Sequence, residues 1–408
     1  MLHLMLTGVL IGVVVLLWLP LFSELLCILA RRRVPPAPSR IGEVPRLLFL
    51  VPAHNEELMI EGCVRSVLDM SYPADARHLV VIADNCTDAT ARLAAEQGAA
   101  SLERVDPDFL GKPRAIAWAL SQIDLREWDA CVIVDADSTV APGFASGLAE
   151  LAPLNDIVFQ PNNLVLNEFE SWLTRLGGLF GRCRFQFTFP LKQSAGLNCP
   201  IGNGMGIGTN LLIRDGWRSL SITEDSELYA VYTEAGVRIR HASAADIFSQ
   251  ESRSLQEGAT QRRRWLAGRI RVIQDWGVRV IRSPRIGWHQ KLDVFVELGL
   301  CNPVLHLMIA LAVAAIALFA LPGAAGKWIA FLAAASVSSL AVTTIVAILR
   351  HPQPWRTLSA FFMLPAYVGW RLVVVLGTLF TLRDTTWRRT ARTAPQVASA
   401  VPMTDPHA

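Results

Sequence analysis

The sequence predicts an α/β domain with a mostly parallel sheet, flanked by transmembrane helices. Three observations predict it. The chain of 408 residues is 52% hydrophobic and only 18% charged, where a soluble protein carries about a quarter charged residues. The surplus apolar content lies at the two ends, as membrane spans around a water-soluble middle require. In that middle, from about Arg46, short apolar runs alternate with helical stretches, the pattern of a parallel sheet with helices on both faces.

Residues 1–33 read as an N-terminal anchor. Positions 4–30 are apolar apart from Pro20 and the Ser23–Glu24 pair, and Arg31, Arg32 and Arg33 come next. A signal peptide carries its charge first and ends at small residues; here the charge comes last, so a retained span is expected. Arginines after the span place the middle of the chain in the cytosol. Residues 34–45 hold Pro35, Pro36, Pro38 and Pro45, a stiff linker.

Residues 46–253 form the expected α/β domain. LLFLV (47–51) reads as a buried strand, with a helix from about Glu56 to Met70. LVVIA (79–83) reads as a second strand and Asp88 to Gln97 as a second helix. A helix over Lys112 to Ile123 precedes the strand CVIV (131–134), and DIVFQ (156–160) reads as one more. No internal repeat is visible. Residues 254–297 read as interfacial helices rich in arginine and tryptophan.

Residues 298–382 form a C-terminal membrane region. Two spans are expected at 298–321 and 327–349. The stretch 358–382 is interrupted by Pro365 and Arg371 and has two readings, a third span or a re-entrant hairpin bent at Pro365. The tail 383–408, with Arg383, Arg388, Arg389 and Arg392, belongs in the cytosol by the positive-inside rule, which a full span would contradict. Its end, Thr393 to Ala408, reads as disordered.

A net charge of +3 gives no reason to expect nucleic acid. Seven cysteines stand singly, without zinc-ligand spacing, and read as free thiols in a reducing compartment.

Three motifs fall at predicted strand ends, where ligands bind in such sheets. VPAHNEE (51–57) contains Pro52, Ala53 and Glu56; it is either a strand exit with a helix cap or one wall of a nucleotide pocket. Asp84 in DNCTD can accept a hydrogen bond from the N3–H of a uracil base, and Thr87 or Asp88 explains the helix cap without it. Asp135 and Asp137 in VDADS, two residues apart, can jointly address magnesium or manganese; the plain alternative is a polar turn. Lys112 opens a helix after Gly111, where a cation suits phosphate oxygens or is simply solvated.

Three further motifs lie downstream. Gly202 to Gly208 precedes an apolar run that reads as a strand, so it lacks the setting of a dinucleotide fingerprint; it is a flexible turn or a place where a sugar approaches backbone. Glu224 and Asp225 start a helix behind Thr223, read as its cap, and an acidic first turn is ordinary there; the functional reading makes Asp225 a general base. Gln261, Arg264 and Trp265 in QRRRW sit on the basic aromatic stretch.

In this order, D, DxD, TED and QxxRW resemble the family 2 glycosyltransferases with membrane spans, the cellulose, hyaluronan and poly-N-acetylglucosamine synthases and their relatives. The resemblance covers about residues 45–285. It implies an α/β GT-A fold, Rossmann-like, a UDP-sugar donor (UDP-GlcNAc or UDP-glucose), and a Mg2+ or Mn2+ ion on Asp135 and Asp137. By position, Asp84 would hold the uracil, Arg264 and Lys112 the diphosphate, and Pro52, Ala53 and Glu56 the pocket wall. Asp225 would be the catalytic base, with Glu224, Gln261 and Trp265 at the acceptor. The implied partners are the donor, a polysaccharide or lipid acceptor, the lipid bilayer and an accessory export or oligomeric partner. The implied location is the bacterial inner membrane, multi-pass, with the catalytic domain cytosolic.

Polymer synthesis is the leading expectation and single addition to a lipid the alternative, because QxxRW also occurs in lipid transferases. A third reading, a scaffold or transporter without catalysis, conflicts with intact carboxylates at every motif.

Overall fold

The computed structural model describes residues 2–31, 44–300 and 302–380. The expectations for Arg32, Arg33, the linker up to 43 and the tail 383–408 lie outside the described residues.

Eight strands form one sheet: β1 (Leu47–Ala53), β2 (Arg77–Asp84), β3 (Ala100–Arg104), β4 (Ala130–Ile133), β5 (Ser138–Val140), β6 (Val158–Val165), β7 (Gly206–Gly208) and β8 (Ile239–Ser249). Their order is β3-β2-β1-β4-β7-β6-β8-β5. The pairs β1–β2, β1–β4, β2–β3 and β6–β8 are parallel. β7 runs antiparallel to both β4 and β6, and β5 antiparallel to β8.

The continuous apolar run of β1 reflects burial on both faces. Leu47, Phe49 and Val51 pack with Ile60 and Val64 on one side; Leu48 and Leu50 pack with Ile116 and Ala119 on the other. The helices are shorter than the sequence predicts, at Ile60–Leu68, Thr90–Glu96 and Lys112–Leu120. Asn55 and Asn85, just beyond β1 and β2, adopt φ of 56° and 52°, a left-handed turn that asparagine tolerates.

The glycine-rich stretch is corrected. It supplies β7 itself, in mid-sheet, and the apolar run after it is the helix Thr209–Asp215. A Cβ at Gly206 would lie 2.0 Å from the Phe159 ring, so that residue is glycine because of close packing; the stretch does turn at Asn203–Gly204, where Gly204 adopts φ 78°.

The helical excursion Trp172–Ser194, which no motif or strand pattern marks, departs from the domain after β6. Leu173 and Leu176 pack against Val304, Ala360 and Tyr367 of the apolar C-terminal helices. Its middle, Cys183–Thr188, is a π-helical turn.

Four helical stretches are long and apolar enough to cross a bilayer: His3–Leu29, Pro303–Ala320, Ala324–Leu349 and Pro354–Thr378. Leu10, Val14, Val313, Ala317, Ile329 and Ala333 bury one another between the first three. The hairpin reading of the last stretch is corrected. The chain stays helical from Pro354 through Phe380, with a 3-10 turn at Ala360–Met363 just before Pro365, because a proline in the first turn of a helix displaces no hydrogen bond.

Candidate active site

All twelve residues singled out from the sequence line one cleft of about 1080 Å³. Pro52, Ala53, Glu56 and Asp84 come from the ends of β1 and β2. Lys112, Asp135 and Asp137 come from a helix start and the turn after β4. Glu224, Asp225, Gln261, Arg264 and Trp265 come from the two helices opposite.

Asp84 is buried, and Arg104 of β3 donates to its Oδ1 at 2.6 Å. Asn85 Nδ2 donates to the same oxygen at 2.9 Å. Arg104 is anchored in turn by Asp106 at 2.6 Å and the Phe109 carbonyl at 2.9 Å. Sequence reasoning missed Arg104, which lies 20 residues from Asp84 in no motif. His54 Nδ1 lies 2.7 Å from the Asp84 carbonyl oxygen and also lines the cleft.

Lys112 Nζ lies 2.6 Å from Asp135 Oδ1 and 2.9 Å from Glu224 Oε1. Burial works against its charge, but the two carboxylates outweigh burial and hold its pKa above the ordinary value. Among the described residues, no three His, Cys, Asp or Glu side chains gather as a metal cluster. A divalent cation held at Asp135 and Asp137 would need its remaining ligands from diphosphate oxygens or water, the usual habit of magnesium.

The carboxylate turn is clamped from β7's side of the sheet. Asn203 Oδ1 accepts from the Asp135 N–H at 3.0 Å, and Asn203 Nδ2 donates to Ser138 Oγ at 2.8 Å. Gln160, buried in β6, donates to the Asn203 carbonyl at 3.0 Å and accepts from the Gly202 N–H at 2.6 Å. Asn203 is thus a positioning residue, and its glycine neighbours obscure it in the sequence.

Asp225 opens the helix Glu224–Glu234. Burial and the neighbouring Glu224 push its pKa up to about 6, against the pull of the Ser226 N–H, Lys112 and Arg269. Thr223 is corrected as a cap, since its side chain makes no capping bond. It packs instead against Gly268 of the long helix Leu255–Arg282, where a Cβ would come within 2.2 Å of it. That contact packs the start of the Asp225 helix on the helix that carries Arg264, and both residues line the cleft. The Arg264 Nε is buried without a hydrogen-bond partner among the described residues, a donor that a bound anion would satisfy. Trp265 is 44% exposed at the cleft wall, and Gln261 accepts from Ser252 Oγ at 3.3 Å.

Residues 45–268, more than half of the chain, match the family described as "Glycosyltransferase like family 2". The chain belongs to that family. It is 26% identical over 260 residues to a probable glycosyltransferase, YdaM, of Bacillus subtilis, covering 59% of each chain. It is 25% identical over 275 residues to the beta-monoglucosyldiacylglycerol synthase of Synechocystis, covering 62% of this chain and 53% of that one. The matched part thus spans less than two thirds of either relative. A putative cellulose synthase of Komagataeibacter xylinus is 30% identical over 115 residues, 28% of this chain and 7% of that one. The fold is that of the mannosyltransferase PcManGT from Pyrobaculum calidifontis, solved with GDP-Man and Mn2+, at a TM-score of 0.60 and 18% identity over 94% of this chain and 99% of that one.

Proposed function

We propose that this family 2 glycosyltransferase moves one sugar from a UDP-sugar to a membrane lipid, with inversion at the anomeric carbon. One observation carries the lipid reading. The cleft that holds Asp225 is also walled by Pro303, His306, Leu340 and Thr343 of the apolar helices, so an acceptor can reach the base from the bilayer. The likeness to lipid glucosyltransferases over 62% of the chain supports it. The polymer reading draws support from the motif order and from the match over 28% of the chain.

In the proposed reaction Asp225 accepts the acceptor's hydroxyl proton as that oxygen attacks the anomeric carbon. The bond from that carbon to the diphosphate oxygen breaks, and the diphosphate leaves. Lys112 and Arg264 receive its charge, Asp84 contacts the base, and Pro52, Ala53 and Glu56 wall the pocket. Glu224, Gln261 and Trp265 border the acceptor, the indole face packing on apolar C–H groups. Asp135 and Asp137 would hold Mg2+ or Mn2+, which supplies further neutralisation of the diphosphate.

The location that fits is a multi-pass inner-membrane protein with its catalytic domain in the cytosol, given the arginine that closes the first apolar helix. The test is the purified protein in diacylglycerol-containing vesicles with labelled UDP-glucose or UDP-GlcNAc. One labelled glycolipid is the expected product; label in a chain of many sugars would replace this reading with polymer synthesis.

A further inference from the structure

The last apolar stretch, Pro354–Thr378, differs from the other three. Its mean hydropathy, 1.7, is below their 2.1 to 2.5. It carries Arg371, which is buried, with Nη1 lacking a hydrogen-bond partner among the described residues. It also touches segments of the α/β domain from end to end. Just before it, His351 Nε2 lies 3.1 Å from Glu168 Oε1. At its start Arg175 donates to Ser359 Oγ at 2.8 Å, and the Arg356 guanidinium sits 4.7 Å from the Phe169 ring centroid. In its middle the Tyr367 ring meets Trp172 edge-on, and Arg262 lies 5.3 Å from the Trp370 ring centroid. At its end a Cβ on Gly377 would come within 3.1 Å of the Arg263 guanidinium.

These partners come from one place. Phe169 to Arg175 follow the end of β6, and Arg262 and Arg263 follow the end of β8. The two strands end side by side, with Val165 paired to Ser249. Their exits are tied together. Asn167 Nδ2 donates to the Glu251 carbonyl at 3.1 Å, and Asn167 Oδ1 accepts from the Glu251 N–H at 2.9 Å. Arg253 pairs with Glu170 at 2.5 Å and Arg262 with Glu251 at 2.9 Å.

A helix standing across the bilayer cannot keep all of these contacts. From Arg356 to Gly377 it rises about 32 Å, and the hydrocarbon core is ~30 Å thick. With Arg356 at the cytosolic face, Gly377 would stand near the opposite face and Arg263 with it. Arg263 belongs to the helix Leu255–Arg282, where Arg262, Arg264, Arg269 and Arg271 accompany it, and burying such a helix in hydrocarbon is costly. A helix lying in the membrane plane keeps every contact. The two sides of the stretch agree with that orientation. Thr357, Tyr367, Arg371 and Thr378 are buried against the protein, whereas Trp355, Phe362, Val373 and Leu376 are exposed.

We infer that Pro354–Thr378 does not cross the bilayer. It lies along the cytosolic membrane face under the two strand exits, with its Trp355, Phe362 and Val373 side in the acyl chains of that leaflet. Lipid chains fit an exposed apolar side, and Arg371 stays at headgroup depth instead of in hydrocarbon. The chain then leaves the helix on the cytosolic side, where Arg383, Arg388, Arg389 and Arg392 satisfy the positive-inside rule. The stretch also braces the cleft from the membrane side. Arg262, held between Glu251 and Trp370, is followed closely on its helix by Arg264 and Trp265, which line the cleft. The inference rests on the cytosolic location proposed above for the catalytic domain and is independent of the acceptor.

The experiment attaches a spin label at Phe362→Cys or at Val373→Cys, exposed positions on one side of the helix, in the full chain in lipid vesicles. Labelled wild type supplies the background from the native cysteines. Collisions with oxygen and with a water-soluble nickel complex read the depth of each label. Equal depths, within a few ångströms, are expected; a span makes them differ by about 16 Å. Should Val373→Cys fail to fold, Leu376→Cys on the same side replaces it, and a span then predicts about 21 Å. In bacterial cells, a fluorescent protein fused after Ala408 should fluoresce and alkaline phosphatase fused there should stay inactive. A depth difference of the span's size, or an active phosphatase, overturns the inference. Glu127→Cys, exposed on the catalytic domain, is then treated with a membrane-impermeant thiol reagent on intact cells. Labelling there would sink the cytosolic location itself, whereas protection upholds it and leaves the depths to judge the helix alone.

Discussion

Arg104 and Asp84 form a buried ion pair at 2.6 Å, with side chains only 6% and 7% exposed. This cleft carboxylate is therefore fixed by a cation on the neighbouring strand. Removing one member of such a pair leaves an uncompensated buried charge, at a cost of about 3–5 kcal/mol. Arg104→Met should lower the unfolding free energy by that order and raise the donor KM. Chemical denaturation together with initial rates checks both. Arg104→Met combined with Asp84→Asn should recover much of the stability and none of the donor affinity.

In the proposed mechanism Asp225 must be ionised to act as the base, and its pKa is pushed up to about 6 because burial and Glu224 disfavour the charge. Activity should therefore fall as pH drops through about 6 and level off above it. A pH–rate profile whose acid limb sits near pH 4 contradicts this. Asp225→Asn should cut kcat by about 10²–10⁴ and lose the limb. Its thermal stability at neutral pH should equal or exceed the wild type's, because a raised carboxyl pKa means that ionisation above pH 6 opposes folding.

Asn203 holds the Asp135 N–H at 3.0 Å and Ser138 Oγ at 2.8 Å. Asn203→Ala removes the partner of a half-buried donor, which costs on the order of 1 kcal/mol, and loosens the carboxylate turn. The Mn2+ concentration for half-maximal rate should rise several-fold, read from a metal titration at saturating donor. An unchanged titration would show that the turn holds its shape unaided.

Gly268 faces Thr223 with room for no Cβ, the nearest side-chain atom lying at 2.2 Å. Gly268→Ala should displace the start of the Asp225 helix, with an overpacking cost of about 1–3 kcal/mol and a larger loss in kcat than in donor binding. Thr223→Ala in the same chain should restore part of the rate, because it removes the two closest atoms.

The strand ends were legible because local chemistry writes them. LLFLV and LVVIA are apolar on both faces, and the residues that end them, Pro52 and Asp84, lie in the cleft. The apolar ends were legible for the same reason, since a bilayer demands length and apolar content alone. The excursion Trp172–Ser194 was not, because its apolar residues pack on other helices and its basic ones pair within the protein, so it has neither a strand period nor a span's length. The β7 glycines misled because glycine usually signals a turn, whereas here the Phe159 ring excludes anything larger.

Residue order alone sufficed for the family, the alternating α/β plan, the four apolar stretches and the twelve residues of the cleft, because each is set by composition or spacing within a few positions. Folding in three dimensions was needed to bring Arg104 to Asp84, Asn203 to Asp135, Gly268 to Thr223, and His306 and Glu24 to the cleft of Asp225. Those neighbours are 20 to more than 200 positions apart, or lie on separate elements. Their meeting depends on strand order and helix packing, which no local pattern encodes.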